Sequence, residues 1–220
     1  MKKPLKEKLL TISAGNFHNI CDELAAKDKE LKTVIALHGY PPMWTRPNIF
    51  ETLVHVILEQ QVSLASALAA LKKLQEKTGT ITPSAILELD DAELRACYVS
   101  RQKAKYLREL ASALQNKTLS LDTLEKLSND EVRSALVQIK GIGNWTIDVY
   151  LMFVLHRADI FPIGDLAAVN ALKRLKQLPK DTSREMLLQI TEQWKPYRTV
   201  AAFLLWHFYL SEIGSKKLVI

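Results

Sequence analysis

Leu136-Val-Gln-Ile-Lys-Gly-Ile-Gly-Asn-Trp-Thr146, followed by the apolar run Ile147 to Leu155, decides how this chain is read. Its apolar spacing predicts a helix running into Gly141-Ile142-Gly143 and a second helix starting at once. Two glycines flanking an apolar residue suit a tight turn with positive φ and let a partner approach the backbone closely. The Ile142 side chain is expected to drop between the helices and hold the hairpin. The amides of Ile142, Gly143 and Asn144 then lie at the N-terminus of the second helix. Unsatisfied N–H groups and the positive end of the dipole suit a phosphate oxygen there. On spacing alone, an αα-hairpin whose glycines only relieve crowding reads equally well.

The same helical spacing extends outward in both directions, and sustained strand-like alternation is hard to find. Pro47 is expected to open a helix whose apolar stripe is Phe50, Leu53, Val54, Ile57 and Leu58. Ser63 reads as an N-cap for Leu64 to Lys77, which Gly79 ends. Pro83 opens a short helix, and Asp90 or Asp91 caps another. Gln102 to Gln115 places Ala104, Leu107, Leu110, Ala111 and Leu114 on one face. Ser128 and Glu131 have capping-box spacing ahead of Val132, Leu136 and Val137. Ser183 caps a helix that Pro196 interrupts, after which an apolar, aromatic helix runs to about Ile213. The sum is an all-α chain of roughly ten to twelve short helices, with no fixed-period repeat.

Composition narrows the partners. The 220 residues carry 30 basic and 24 acidic side chains, a formal charge of +6 and a pI near 9.2. That excess favours polyanions, chiefly nucleic acid or an anionic membrane face. No apolar stretch approaches the ~20 residues of a membrane span. The start, MKKPLKEKLL, lacks the apolar core and cleavage site of a secretory signal. A cytoplasmic, nucleoid-associated protein is therefore expected, or a nuclear one in a eukaryote. Cys21 and Cys97 cannot form a disulfide framework or a four-cysteine metal site and read as reduced core residues.

At these residues the chain resembles the helix-hairpin-helix (HhH-GPD) DNA glycosylase superfamily, most of all its DNA-3-methyladenine glycosylase II branch. Ile139-Lys-Gly-Ile-Gly-Asn-Trp-Thr146 and then Ala158-Asp-Ile-Phe-Pro-Ile-Gly-Asp165 match the hairpin and the loop ending in a required aspartate. Ile57-Leu-Glu-Gln-Gln-Val-Ser63 is similar to the family segment between pocket and minor groove. Ser100-Arg-Gln-Lys-Ala-Lys-Tyr-Leu107 resembles its mid-domain helix start. Pro196-Tyr-Arg-Thr-Val-Ala-Ala-Phe-Leu-Leu-Trp206 resembles its C-terminal helix. Together the matches run in family order from about residue 50 to 210.

The resemblance implies a two-lobed, all-α fold with a DNA cleft between the lobes. In that arrangement residues 1–46 are N-terminal helices packing with the C-terminal lobe. Residues 47–155 form a central lobe containing the hairpin at 129–155, and residues 156–220 hold the aspartate loop and the C-terminal helices. The extra N-terminal β-domain of some members is expected to have no counterpart before Pro47.

The implied activity is that of a monofunctional glycosylase, which flips alkylated purines of the 3-methyladenine or 7-methylguanine type out of double-stranded DNA and removes them by hydrolysis. Asp165 is the implied catalytic carboxylate, stabilising an oxocarbenium-like sugar and directing water. Locally it also reads as the N-cap of the run Leu166 to Leu172, and capping does not exclude catalysis. Trp145, Trp206 and Trp44 are the candidate pocket aromatics, because a cationic purine favours an electron-rich ring. Val149 stands where the alkylpurine pattern has an aromatic one turn after Trp145.

Gln61 occupies the wedge position that fills the gap left by a flipped base. Lys140, Gly141, Ile142, Gly143 and Asn144 would grip backbone phosphate, with Lys105 a further contact. Asp148 is expected in an ion pair or cap, and His55, His156 and His207 as packing residues. No cofactor is expected, and four clustered cysteines for an iron–sulfur cluster are lacking. The pattern admits a monovalent or divalent cation bridging hairpin carbonyls to phosphate. A monomer acting on damaged duplex, with no membrane, completes the expectation. Bifunctional relatives carry a lysine two residues after the second hairpin glycine, where this chain has Trp145. The rival readings are a non-catalytic hairpin module, a glycosylase for oxidised or mismatched bases, and a helical regulator that binds no DNA.

Overall fold

Side-chain caps mark where eight of the described helices begin. The computed structural model describes residues 9–217, so the basic start at 1–8, on which the targeting expectation rests, lies outside the described residues. In chain order the helices are α1 (Phe17–Lys27), α2 (Lys29–His38), α3 (Phe50–Glu59) and α4 (Leu64–Thr78). Next come α5 (Pro83–Glu88), α6 (Asp91–Ala96), α7 (Arg101–Gln115), α8 (Leu121–Leu124) and α9 (Asn129–Leu136). The series ends with α10 (Asn144–Phe153), α11 (Leu166–Leu175), α12 (Arg184–Thr191) and α13 (Arg198–Lys217). Extended pairing among the described residues is a single bridge between Thr11 and Arg157, and none of their helices is long and apolar enough to cross a membrane.

Ser63, Thr82, Ser100 and Ser183 each accept a first-turn amide, and Asp90/Glu93 and Ser128/Glu131 form reciprocal capping boxes. Pro47 departs from expectation. The helix starts at Phe50, and the Pro47 carbonyl accepts from the Ile49 amide at 3.0 Å and the Thr52 hydroxyl at 2.7 Å. The proline therefore shapes the preceding turn and is not the first helical residue. The helix before the hairpin also stops early, at Leu136, and Val137 to Lys140 turn the chain. On α7, Ala113 takes the buried place expected of Leu114.

The chain divides into two compact units, Met1–Thr45 with Leu151–Ile220, and Arg46–Tyr150. The central unit, unlike the expected span 47–155, ends at Tyr150. It is organised on α3, buried nearly all round, against which α4 and α7 pack. In the other unit α1, α2 and α11 pack on α13, whose stretch Val200 to Leu205 is wholly buried.

A buried polar cluster pins that second unit. Asp28 caps α2 by accepting the Glu30 and Leu31 amides, and its other oxygen accepts from Lys176 Nζ and Trp194 Nε1, both at 2.7 Å. Burial works to raise the Asp28 carboxyl. The bonds from Lys176, Trp194 and the Leu31 amide outweigh it and hold the group below its ordinary value.

Candidate active site and nucleic-acid interface

The hairpin forms, with its roles divided differently from expectation. Ile142 is 3% exposed and seats the turn as expected. Its amide, however, donates to the Ile139 carbonyl at 3.0 Å, so it is consumed within the turn and does not face outward. The positive φ belongs to Gly141 alone of the two glycines, at 95°. A Cβ on Gly141 would stand 2.1 Å from Cγ of Tyr106, so that ring occupies the space a side chain would need.

Gly143 is different in kind. A Cβ there would meet no atom within 4 Å, and nothing inside the protein demands glycine at that position. Its amide and that of exposed Asn144 lie at the start of α10, where helical geometry provides no internal acceptor. Lys140 and Lys105 are exposed. The carbonyls of Ile139, Gly141 and Gly143 accept from the Ile142 amide, Gln60 Nε2 and the Ile147 amide. Arg133 and Asp148 form an ion pair across the two helices of the hairpin, meeting the expectation for Asp148.

Gln61 is exposed in the turn between α3 and α4 and holds a left-handed backbone, φ 57°. Its neighbour Gln60, not singled out from the sequence, reaches the hairpin. Gln60 Nε2 donates to the Gly141 carbonyl at 2.8 Å and to Thr146 Oγ1 at 2.9 Å. Trp145 is half-buried in the first turn of α10. Val149 and Tyr150 are buried, and the Tyr150 hydroxyl donates to Asn48 Oδ1 at 2.7 Å, so neither replaces the missing aromatic.

Asp165 belongs to the other unit, on a loop fixed at several points. The Ala158 carbonyl accepts the Thr199 amide, and the Thr199 hydroxyl donates to the Arg157 carbonyl at 2.6 Å and accepts the Ile160 amide. Arg198 grips both oxygens of Asp159, at 2.7 and 2.9 Å. The start of α13 thus clamps the loop that delivers Asp165. Asp165 is the N-cap of α11, as local sequence suggested, accepting the Ala168 amide on Oδ1 at 2.8 Å. The same oxygen accepts the Trp206 indole N–H at 3.0 Å. The carboxylate is half-exposed, and two donors fix its direction.

Trp206 in turn packs in an aromatic cluster. Trp206 lies 6.4 Å from Trp44, 5.4 Å from Phe153 and 5.9 Å from Phe203, ring centre to ring centre. Trp44 and Trp206 therefore come together with Asp165, while Trp145, Gln61 and the hairpin belong to the central unit. Phe153 and Phe203 are the aromatics that sequence reasoning missed, although Phe203 sits three residues before Trp206, one turn away on the same helix. Among the histidines, His55 is held below its ordinary value by burial, against the pull of Glu59. His207 Nε2 bonds the His38 carbonyl at 2.9 Å.

A family model described as the HhH-GPD superfamily base excision DNA repair protein matches residues 54–196. DNA-3-methyladenine glycosylase 1 of Schizosaccharomyces pombe is 31% identical over 209 residues, covering 91% of this chain and 90% of its own length. The Bacillus subtilis protein YfjP is 29% identical over 184 residues; that match covers 80% of this chain but only 64% of YfjP. The solved structure of the Schizosaccharomyces pombe 3-methyladenine DNA glycosylase Mag1 in complex with abasic DNA superposes with a TM-score of 0.78 at 32% identity. That likeness covers 86% of this chain and 95% of the other. The family match takes in Gln61, the hairpin and Asp165, and leaves Trp44 and Trp206 outside it.

Proposed function

This chain belongs to the HhH-GPD superfamily of base excision DNA repair proteins, and on that footing we propose that it is a monofunctional DNA glycosylase that hydrolyses alkylated purines from double-stranded DNA. The observation that carries the reading is the Asp165–Trp206 pair, a carboxylate oriented by an indole that packs among further aromatic rings. Alkylated purines are cationic, so they leave readily and prefer an electron-rich surround. As the N-glycosidic bond breaks, positive charge develops on the sugar. A carboxylate held in direction by two N–H donors stabilises that charge without reorganising. It also receives the proton of the water that completes hydrolysis.

The hairpin supplies the sequence-independent grip. The open face at Gly143 and the amides at the start of α10 suit a phosphate oxygen. Gln61, exposed at the tip of its turn, fills the place of the extruded nucleotide and hydrogen-bonds the orphaned partner base. Strand cleavage needs an amine that forms a Schiff base with the sugar. Trp145 offers an indole, which has no usable lone pair, so water is the nucleophile. The protein acts as a monomer and requires no cofactor for this chemistry. Incubation with methylated genomic DNA, followed by mass spectrometry of the released bases, tests the reading. Free 3-methyladenine or 7-methylguanine is expected, and a protein that binds DNA but releases no base would refute it.

A further inference from the structure

We propose that Gln60 is a positioning residue, whose side-chain amide is a strut between the turn presenting Gln61 and the hairpin gripping phosphate. The inference rests on the glycosylase reading above and deepens it. Both N–H groups of the Gln60 amide are spent on the hairpin, one on each side of the glycine turn. The first meets the carbonyl of Gly141, and the second the buried hydroxyl of Thr146 in the first turn of α10. These partners lie 81 and 86 residues away in sequence, so the contact couples two separate parts of the central unit.

The residues just before Gln60 are anchored as firmly. The Leu58 carbonyl accepts Lys103 Nζ at 2.6 Å, and Glu59, 8% exposed, is held bidentately by Arg46 at 2.7 and 2.9 Å. Three successive residues are thus tied to three different parts of the chain. The next, Gln61, is exposed and carries the backbone conformation that side chains rarely adopt. Strain of this kind persists where the surroundings over-determine it. The strut makes the spacing between the inserting side chain and the phosphate grip a property of the folded protein. Insertion then begins from an ordered turn and loses little further freedom on DNA.

A double-mutant cycle tests this on a duplex bearing one 7-methylguanine, with 2-aminopurine as its neighbour to report unstacking. Gln60→Leu keeps bulk and removes both donors. It should retain affinity for undamaged duplex within about twofold, while the fluorescence rise and the single-turnover kcat each fall about tenfold. Gln61→Ala should fall similarly, and the double variant should be little worse than either single one, because each removes the same ordered insertion. Additive losses, or an equal loss of undamaged-duplex binding, would overturn the strut and leave the glycosylase reading standing. If the wild-type protein releases no base from this duplex, the glycosylase reading fails and the proposal resting on it is overturned with it. Should Gln60→Leu not fold, Thr146→Val, which deletes one acceptor, carries the same cycle with the same outcomes.

Discussion

Alanine at Gly141 and alanine at Gly143 should fail in opposite ways. At Gly141 the backbone φ is 95°, and a Cβ would stand 2.1, 2.4 and 2.5 Å from three ring atoms of Tyr106. Holding an L-residue in left-handed backbone costs about 1–2 kcal/mol. Forcing the packed ring to move adds about 1–3 kcal/mol. The sum, about 2–5 kcal/mol, lowers the melting temperature of a chain this size by roughly 4–20 °C. At Gly143 a Cβ meets nothing within 4 Å, so stability should stay within about 0.5 kcal/mol. In the proposed grip the methyl stands where a phosphate would approach. Affinity should fall about equally for damaged and undamaged duplex, with the salt slope little changed because no charge is removed. Thermal melts read by circular dichroism, with fluorescence anisotropy across salt concentrations, separate the two effects. Normal DNA binding by Gly143→Ala would refute the phosphate role. Loss confined to the damaged duplex would move Gly143 into the base pocket.

Trp206→Phe keeps an aromatic ring beside Trp44, Phe153 and Phe203 but deletes the N–H that orients Asp165. A hydrogen bond to a charged group contributes about 1.5–3 kcal/mol, so kcat should drop about tenfold or more, with KM little changed. An unchanged kcat would show that the indole N–H is not needed to orient Asp165. Borohydride added during turnover should trap no protein–DNA adduct, and strands should break only after alkali; trapping that disappears in Lys140→Ala would identify a lyase. Burial holds His156 below its ordinary 6.5, against a bond with the Phe153 backbone. The unfolded chain therefore takes up the extra proton, and stability, full above about pH 6.5, declines as pH falls through that value. His156→Asn, which tolerates the local φ of 52°, should flatten the melting-temperature decline between about pH 7 and 5. An identical decline would place the acid sensitivity elsewhere.

The helices were legible because apolar spacing and capping residues are local signals. Ser63, Asp90, Ser128 and Ser183 each cap where their sequences predict. Pro47 misled because a proline compatible with a first helical turn is equally at home in the turn before it. The hairpin was legible as a motif, but its division of labour was not. Only the fold shows that Gly141 faces Tyr106 while Gly143 faces open space. Asp165 was legible both as cap and as candidate catalyst. Its indole donor arrives from 41 residues away and has no local signature. Gln60 carries no such signature either, because an amide beside another amide gives no sign of which one turns inward.

Asp165→Asn asks, with the least disturbance of the fold, whether the charge of Asp165 drives base release as proposed. Asparagine keeps an oxygen to accept from the Ala168 amide and the Trp206 indole, so the cap and the local geometry survive. What is lost is the negative charge that the proposed mechanism sets beside the sugar, worth about 3 kcal/mol or more, which is over a hundredfold in rate. In single-turnover excision from a 7-methylguanine duplex, the variant should melt and bind DNA as the wild type does, yet release base at under one-hundredth of its rate (~3 kcal/mol). A folded, DNA-binding Asp165→Asn protein that excises at nearly the wild-type rate would show that base release does not depend on that charge.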